Sequence, residues 1–243
     1  GLVFDVRDYG ARGDGSTLDT GAINAAIEAA AAAGGGTVVF PAGTYPSFSI
    51  HLRSHVALYL GRGATLLAAD PPDYPGHDYD PPEQNVWGDE HEYQDFGHSH
   101  WHNSLIWGEG LEDVAILGPG TIDGAGLWKG LYPPLGPAPT GESRGNKAIA
   151  LKRSRNVTLR DFTIFRGGHF GILATGVDNL TIDNLRIDTN RDGIDIDACR
   201  NVRISNVSVS SQNDDAIVLK SSFALGEARI TENVTITNSL VAG

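Results

Sequence analysis

Four stretches of the chain are variants of one phrase, and that repetition limits the possible folds more than any other feature. Asn156-Val-Thr-Leu-Arg-Asp-Phe-Thr-Ile164 is echoed by Asn179-Leu-Thr-Ile-Asp-Asn-Leu-Arg-Ile187, then by Asn201-Val-Arg-Ile-Ser-Asn-Val-Ser-Val209 and Asn233-Val-Thr-Ile-Thr-Asn-Ser-Leu-Val241. The copies start 23, 22 and 32 residues apart, the last gap enlarged by an insertion around Ala224 to Arg229, and a looser copy runs from Asp113 to Ile122. A unit of this length cannot bury its apolar row alone and must stack on its neighbours. Leucine-rich repeats share the period, but their helix and Leu-x-x-Leu-x-Leu frame are missing. Val and Ile alternating with polar residues, with Asn at each turn, predict an all-β parallel β-helix whose rungs lie ~4.8 Å apart.

One helix precedes the coils. Asp19 or Thr20 can cap it, Ala22 to Ala33 supplies strong helix formers, and Gly34-Gly35-Gly36 stops it. It is expected to plug the open N-terminal end of the stack and cover its edge. The chain therefore reads as a single β-helix domain over 1–243, with an N-terminal strand and cap helix in 1–36 and coils over 37–243. Two irregular stretches rich in Pro, Asp and aromatic residues, 70–103 and 127–145, interrupt the coils and read as functional or lid loops. A net charge of −12 without a Lys/Arg cluster argues against nucleic acid and anionic membranes as partners. No apolar run approaches the ~18–20 residues of a membrane span, and the lone cysteine, Cys199, excludes an internal disulfide framework. Gly1-Leu2-Val3-Phe4 is too short for a signal peptide.

The repeats also bring acids together. Gly171-Ile172, Gly193-Ile194 and Ala216-Ile217 align as anchors of successive rungs. On this register Asp192 stacks on Asp215, with Asp214 beside them, while Asp195 and Asp197 alternate with inward isoleucines and are expected to face solvent. Strict alternation would turn Asp192 and Asp215 inward, so both must sit on a turn or bulge. Clustered carboxylates repel, which raises the pKa of at least one and creates the unlike pair that acid–base chemistry needs. Inverting glycoside hydrolysis places such a pair ~6.5–9.5 Å apart around a water. A calcium site or a solvated acidic ladder would use the same residues.

Asn190-Arg191-Asp192-Gly193-Ile194-Asp195, followed by Asn213-Asp214-Asp215, resembles glycoside hydrolase family 28, the polygalacturonases and related pectin hydrolases. Tyr9-Gly10-Ala-Arg-Gly-Asp-Gly15, Gly36-Thr-Val-Val-Phe-Pro-Ala-Gly-Thr-Tyr45 and Gly118-Pro-Gly-Thr-Ile-Asp-Gly124 extend the resemblance over essentially the whole chain. It implies a right-handed, pectin-lyase-like parallel β-helix and an inverting two-carboxylate hydrolase of pectic polysaccharide, without metal or other cofactor and located in a secreted or periplasmic setting. Asp214 would be the general acid, with Asp192 and Asp215 positioning and deprotonating the attacking water. Arg191 replaces the family's Thr and Asn213 its Gly, and the Gly-His-Gly and Arg-Ile-Lys motifs do not occur before Gly243. The 243-residue chain by itself is accordingly expected to have little activity.

Further candidates surround these acids. His169 stacks over Arg191 and Asp214, and together with Arg191, Asp195 and Lys220 makes the predicted substrate-binding set. Arg166 is a further cation available to a uronate. His98, His100 and His102 alternate but lack a convincing carboxylate partner for zinc. Trp87, Trp101 and Trp107 offer faces for sugar rings, with burial under the long loop the more ordinary outcome. The sequons at Asn156, Asn179, Asn206 and Asn233 read as turn asparagines rather than glycan sites. Two other functions remain open: a calcium-dependent polysaccharide lyase, and a non-catalytic carbohydrate-binding β-helix.

Overall fold

A computed structural model describes residues 1–87, 98–128 and 145–243. Parts of the two long loops, 88–97 and 129–144, lie outside the described residues. Among the described residues the strands form three parallel sheets of eight, seven and six strands. The first two strands, Val3–Asp5 and Gly36–Phe40, pair in the eight-stranded sheet; from there on consecutive strands fall in different sheets, so the chain winds through all three and then pairs with its own previous turn, as a right-handed parallel β-helix does. The four phrase copies contribute Arg155–Arg160, Asp178–Asp183, Arg200–Ser205 and Glu232–Thr237 to the eight-stranded sheet. Their inward residues stack column on column: Val157, Leu180 and Val202 in one, Leu159, Ile182 and Ile204 in the next, all buried. In the last coil the same columns end in Val234 and Ile236, and Ile236 is exposed.

The asparagines that open each phrase adopt left-handed backbone, with φ of 55°, 56°, 58° and 55° at Asn156, Asn179, Asn201 and Asn233. Asn tolerates this conformation better than most residues. Its amide also bonds to the rung before it: Asn179 Nδ2 donates to Asn156 Oδ1 at 2.9 Å and Asn233 Nδ2 to Asn201 Oδ1 at 3.2 Å. A second ladder closes the strands, with Asn184 Nδ2 donating to Asp161 Oδ1 (3.0 Å) and Asn238 Nδ2 to Asn206 Oδ1 (2.6 Å). The recurring asparagines are explained by these turns.

Helix α1 (Thr20–Ala32) covers the N-terminal end, burying Ile23, Ala26, Ile27 and Ala30 against the first coil. Its capping differs from expectation. The Asp19 carboxylate makes no cap bond and instead accepts from the backbone of Arg12 (2.9 Å) and Gly13 (3.1 Å), while Thr20 Oγ1 accepts from Phe48 N at 2.8 Å. These two residues fasten the helix to the coil rather than cap it.

Candidate active site

The six-stranded sheet and the turn that leads into its last strand carry the acids. Ile172, Ile194 and Ile217 pair in successive rungs, on the register read from the Gly-Ile anchors. Phe170 pairs with Asp192 and Ile172 with Ile194, but the ladder skips Gly171 and Gly193 between them. A Cβ on Gly171 would meet the Gly193 carbonyl at 2.6 Å, and one on Gly193 the Ala216 carbonyl at 2.5 Å. The glycines thus let adjacent rungs close up where alternation breaks. The break turns Asp192 outward, on the same side as Asp195 three residues later. Phe170, one rung before Asp192, likewise packs outside the coil against Trp101, Ala150 and Leu173.

One oxygen each from Asp192, Asp214 and Asp215 lies within 4.8 Å of the others. The three differ in depth: Asp192 is buried, Asp214 half-buried and Asp215 exposed. The turn holding Asp214 is pinned by Ser211, whose hydroxyl donates to the Arg191 carbonyl (2.7 Å) and to the Asp214 carbonyl (2.9 Å). Arg191 Nε forms an ion pair with Asp214 Oδ2 at 2.8 Å, the neighbour relation expected from the stacking. Burial, and then the charges of Asp195 and Asp214, push the Asp192 carboxyl well above the usual range, so the resting site keeps a proton there.

Asp195 and Asp197 leave the coil outward as expected, but neither reaches solvent. Both are fully buried, because other segments of the chain lie over that row. Lys220 Nζ sits 3.6 Å from Asp195 Oδ2 and donates to His98 Nδ1 at 2.9 Å, and His98 Nδ1 is itself 3.9 Å from Asp195. Asp197 accepts from Ser222 N at 2.8 Å and from the Ser222 hydroxyl. Asp195 therefore faces Lys220 and His98 rather than solvent, and Lys220 points at a buried acid rather than outward. His169 and Arg191 are also buried, His169 against Phe170 with its ring parallel to Trp128. Burial first, and then neighbouring cations, hold both His98 and His169 down to about 3, so both are neutral.

The three alternating histidines diverge: His98 joins Lys220, His100 Nδ1 lies 2.7 Å from the Glu83 carbonyl, and His102 lies between Glu83 and Glu109. Trp101 is buried with its indole donating to Thr175 Oγ1 at 3.0 Å, Trp107 stacks on His102 at 3.9 Å, and Trp87 lies against Phe223. Among the described residues two sets could present donors to a cation, Asp192/Asp214/Asp215 and His98/Asp192/Asp195, but in the second His98 and Asp195 already face the Lys220 ammonium.

Sequence reasoning missed Lys147 as a neighbour of the site. It is fully buried, donates to Asn103 Oδ1 at 3.0 Å and to Asn146 Oδ1, and is lowered to about 7 by burial. Lys147 pairs with Phe170, which pairs with Asp192. Extending the anchor alignment one coil further back, to Ala148-Ile149, would have found it.

Comparison with known proteins places the chain among polysaccharide-processing β-helices. The family model for rhamnogalacturonase A/epimerase, pectate lyase-like proteins matches residues 3–61, and that for glycosyl hydrolases family 28 matches residues 91–243. A probable polygalacturonase of Vitis vinifera is 29% identical over 236 residues, covering 88% of this chain and 43% of its own length. The plasmin and fibronectin-binding protein A of Streptococcus pneumoniae is 34% identical over 195 residues, 76% of this chain and 24% of that protein. Among solved structures, a family 28 exopolygalacturonase of Yersinia enterocolitica superposes with a TM-score of 0.77 at 24% identity, over 99% of this chain and 48% of its own. The chain thus spans less than half the length of these relatives. With a family model matched over more than half its residues, carboxylates included, the chain belongs to the glycosyl hydrolases of family 28.

Proposed function

We propose that the protein hydrolyses glycosidic bonds of a pectic polysaccharide with inversion, using Asp214 as general acid and Asp192 with Asp215 to hold and deprotonate water. The convergence of three carboxylates of different depth on one spot supports this reading. A water bonded at ~2.8 Å to each of two oxygens spans up to ~5.6 Å, so the Asp192 and Asp215 oxygens are close enough to share one. Half-buried Asp214 stands where a leaving oxygen can reach it. The proton held by Asp192 in the free site passes to Asp214, which leaves Asp192 a carboxylate able to take a proton from the water while Asp214 protonates the departing sugar. Arg191 resists that transfer by its ion pair with Asp214. Pectic substrates lie outside the cytoplasm, and a secreted or periplasmic setting follows from this reading.

The carboxyl oxygens are closer than the ~6.5–9.5 Å common in inverting enzymes. Stereochemistry is therefore the discriminating test. Proton NMR of the first sugar released should show the inverted anomer, and Asp214→Asn should lower turnover at least ~10²-fold without unfolding the protein. A retained anomer would make one of the aspartates a nucleophile and overturn the roles assigned to all three. The 34% identity to the pneumococcal plasmin and fibronectin-binding protein favours a second reading, a binding β-helix without turnover. Any hydrolysis that depends on Asp214 excludes it.

A further inference from the structure

Asp192 and Asp195 lie on one strand, and their carboxyl groups meet on its outer side. One oxygen from each and a ring nitrogen of His98 lie within 4.8 Å of one another. Along the ladder Asp195 is flanked by Leu173 and Val218, so its charge has no polar neighbour in that direction and is turned sideways. Lys220 pairs with Asp197 in the ladder, yet its Nζ leans to Asp195 Oδ2 at 3.6 Å. Asp197 is already bonded by the backbone and hydroxyl of Ser222. His98 Nδ1 accepts from Lys220 at 2.9 Å, which holds the ammonium in place and requires a neutral ring.

The charge states of this pair differ sharply in cost. Two ionised carboxylates would put like charges side by side in a buried site against a single ammonium. Two protonated ones would leave the Lys220 ammonium facing only a neutral imidazole. One proton between them avoids both penalties. It also supplies a missing donor: among the described residues Asp192 Oδ1 and both Asp195 oxygens accept no hydrogen bond. The Lys220 ion pair is with Asp195, so the charge rests there and the proton on Asp192. Burial first, and then charged neighbours, hold both carboxyls above the usual range. The other titratable groups around the pair are Arg191, ion-paired with Asp214 on the turn into the strand, and Asp214 and Asp215 on the next rung. On the rungs before lie His169, held neutral, and buried Lys147.

We propose that Asp195 is a positioning residue for the hydrolysis: kept ionised by Lys220, it stands beside Asp192 and makes that residue the strongest base of the three acids. In the step it serves, an O–H bond of the water breaks and its proton goes to Asp192. The oxygen bonds to the anomeric carbon, and Asp214 protonates the departing sugar oxygen. The consequence for turnover rests on the hydrolase reading above; the consequence for the proton on Asp192 does not. Infrared difference spectra of protein carrying isotope-labelled aspartate, without substrate, follow the carboxyl band that Asp192→Asn abolishes. Asp195→Asn keeps the shape and removes the charge, so the band should vanish on titration at least about one pH unit lower than in the unaltered protein. Lys220→Gln removes the cation, and the last carboxyl proton of the pair should leave about one unit higher. Loss of packing alone cannot move the two in opposite directions, and either variant carries the test if the other does not fold. On a pectic oligosaccharide, Asp195→Asn should lower kcat about tenfold with KM within about twofold, and move the alkaline limb of the pH profile downward. Titrations that stay put or move the same way, or an unchanged kcat in Asp195→Asn, overturn the role of Asp195. Opposed titrations in a protein without turnover keep the hold of Asp195 on Asp192 and remove the hydrolase reading. Turnover that depends on Asp214, with unmoved titrations, does the reverse.

Discussion

Arg191 puts a guanidinium 2.8 Å from the proposed acid, at a position where the related motif has a threonine. A cation at that distance favours the fully ionised state of the carboxylate cluster and so works against the proton that catalysis needs. Arg191→Thr should therefore let the cluster keep its proton to higher pH and move the alkaline limb of the kcat profile upward, while Arg191→Lys leaves it near its original position. An unmoved limb in the threonine variant would mean that Arg191 serves packing alone. Asp192 has a stability consequence of definite sign. Its folded pKa is raised by burial, so the stability it contributes is complete below the ordinary carboxylate range and is lost as pH rises from there. Asp192→Asn cannot ionise, and its melting temperature relative to the unaltered protein should climb between pH 5 and pH 8, by roughly 3 °C for each kcal/mol relieved. A constant difference across that range would show that Asp192 does not retain its proton.

Among the strands, the site depends on two glycines that no functional motif would single out. A methyl group on Gly193 would meet Val209 Cγ1 at 2.4 Å and the Ala216 carbonyl at 2.5 Å, and the carbonyl belongs to the next rung and cannot rotate away. Gly193→Ala should cost about 2 kcal/mol and displace Asp192, lowering turnover even at temperatures where the variant is folded. Thermal melts and assays well below the transition separate the two effects, and unchanged turnover in a destabilised variant would unlink Asp192's direction from the break at Gly193. The register itself was legible because Gly171-Ile172, Gly193-Ile194 and Ala216-Ile217 carry it in their side-chain pattern, and the outward turn of Asp192 followed from demanding that an acid not enter an isoleucine core. The cover over Asp195 and Asp197 was not legible. His98 comes from a segment without periodicity and Ser222 from the insertion that lengthens one repeat, and nothing local says which rung either will lie on.

Across the whole molecule, the coil gathers buried titratable groups whose pH dependences oppose each other. His98 and His169 come from segments 71 residues apart, yet both are packed on Phe170, with ring centroids 4.6 Å and 4.4 Å from its own. Each is held neutral at about 3, whereas an unfolded histidine binds a proton near pH 6.5. Their contribution is therefore present above pH 6.5 and lost as pH falls below it, by about 2 kcal/mol per ring at pH 5. Asp192 runs the other way, losing stability as pH rises. With both in one site, the unaltered protein should show only a shallow change in melting temperature between pH 5 and pH 7, which would look like an absence of titrating groups. Substitution resolves the two. In a His98→Gln/His169→Gln protein the histidine loss is gone, and the effect of the raised carboxyl pair Asp192 and Asp195 should stand alone, so that acidification from pH 7 to pH 5 raises the melting temperature. If that protein instead melts lower at pH 5, as an ordinary acid-sensitive fold would, the opposing pair does not exist, and the proton assigned to Asp192 in the resting site must be placed elsewhere.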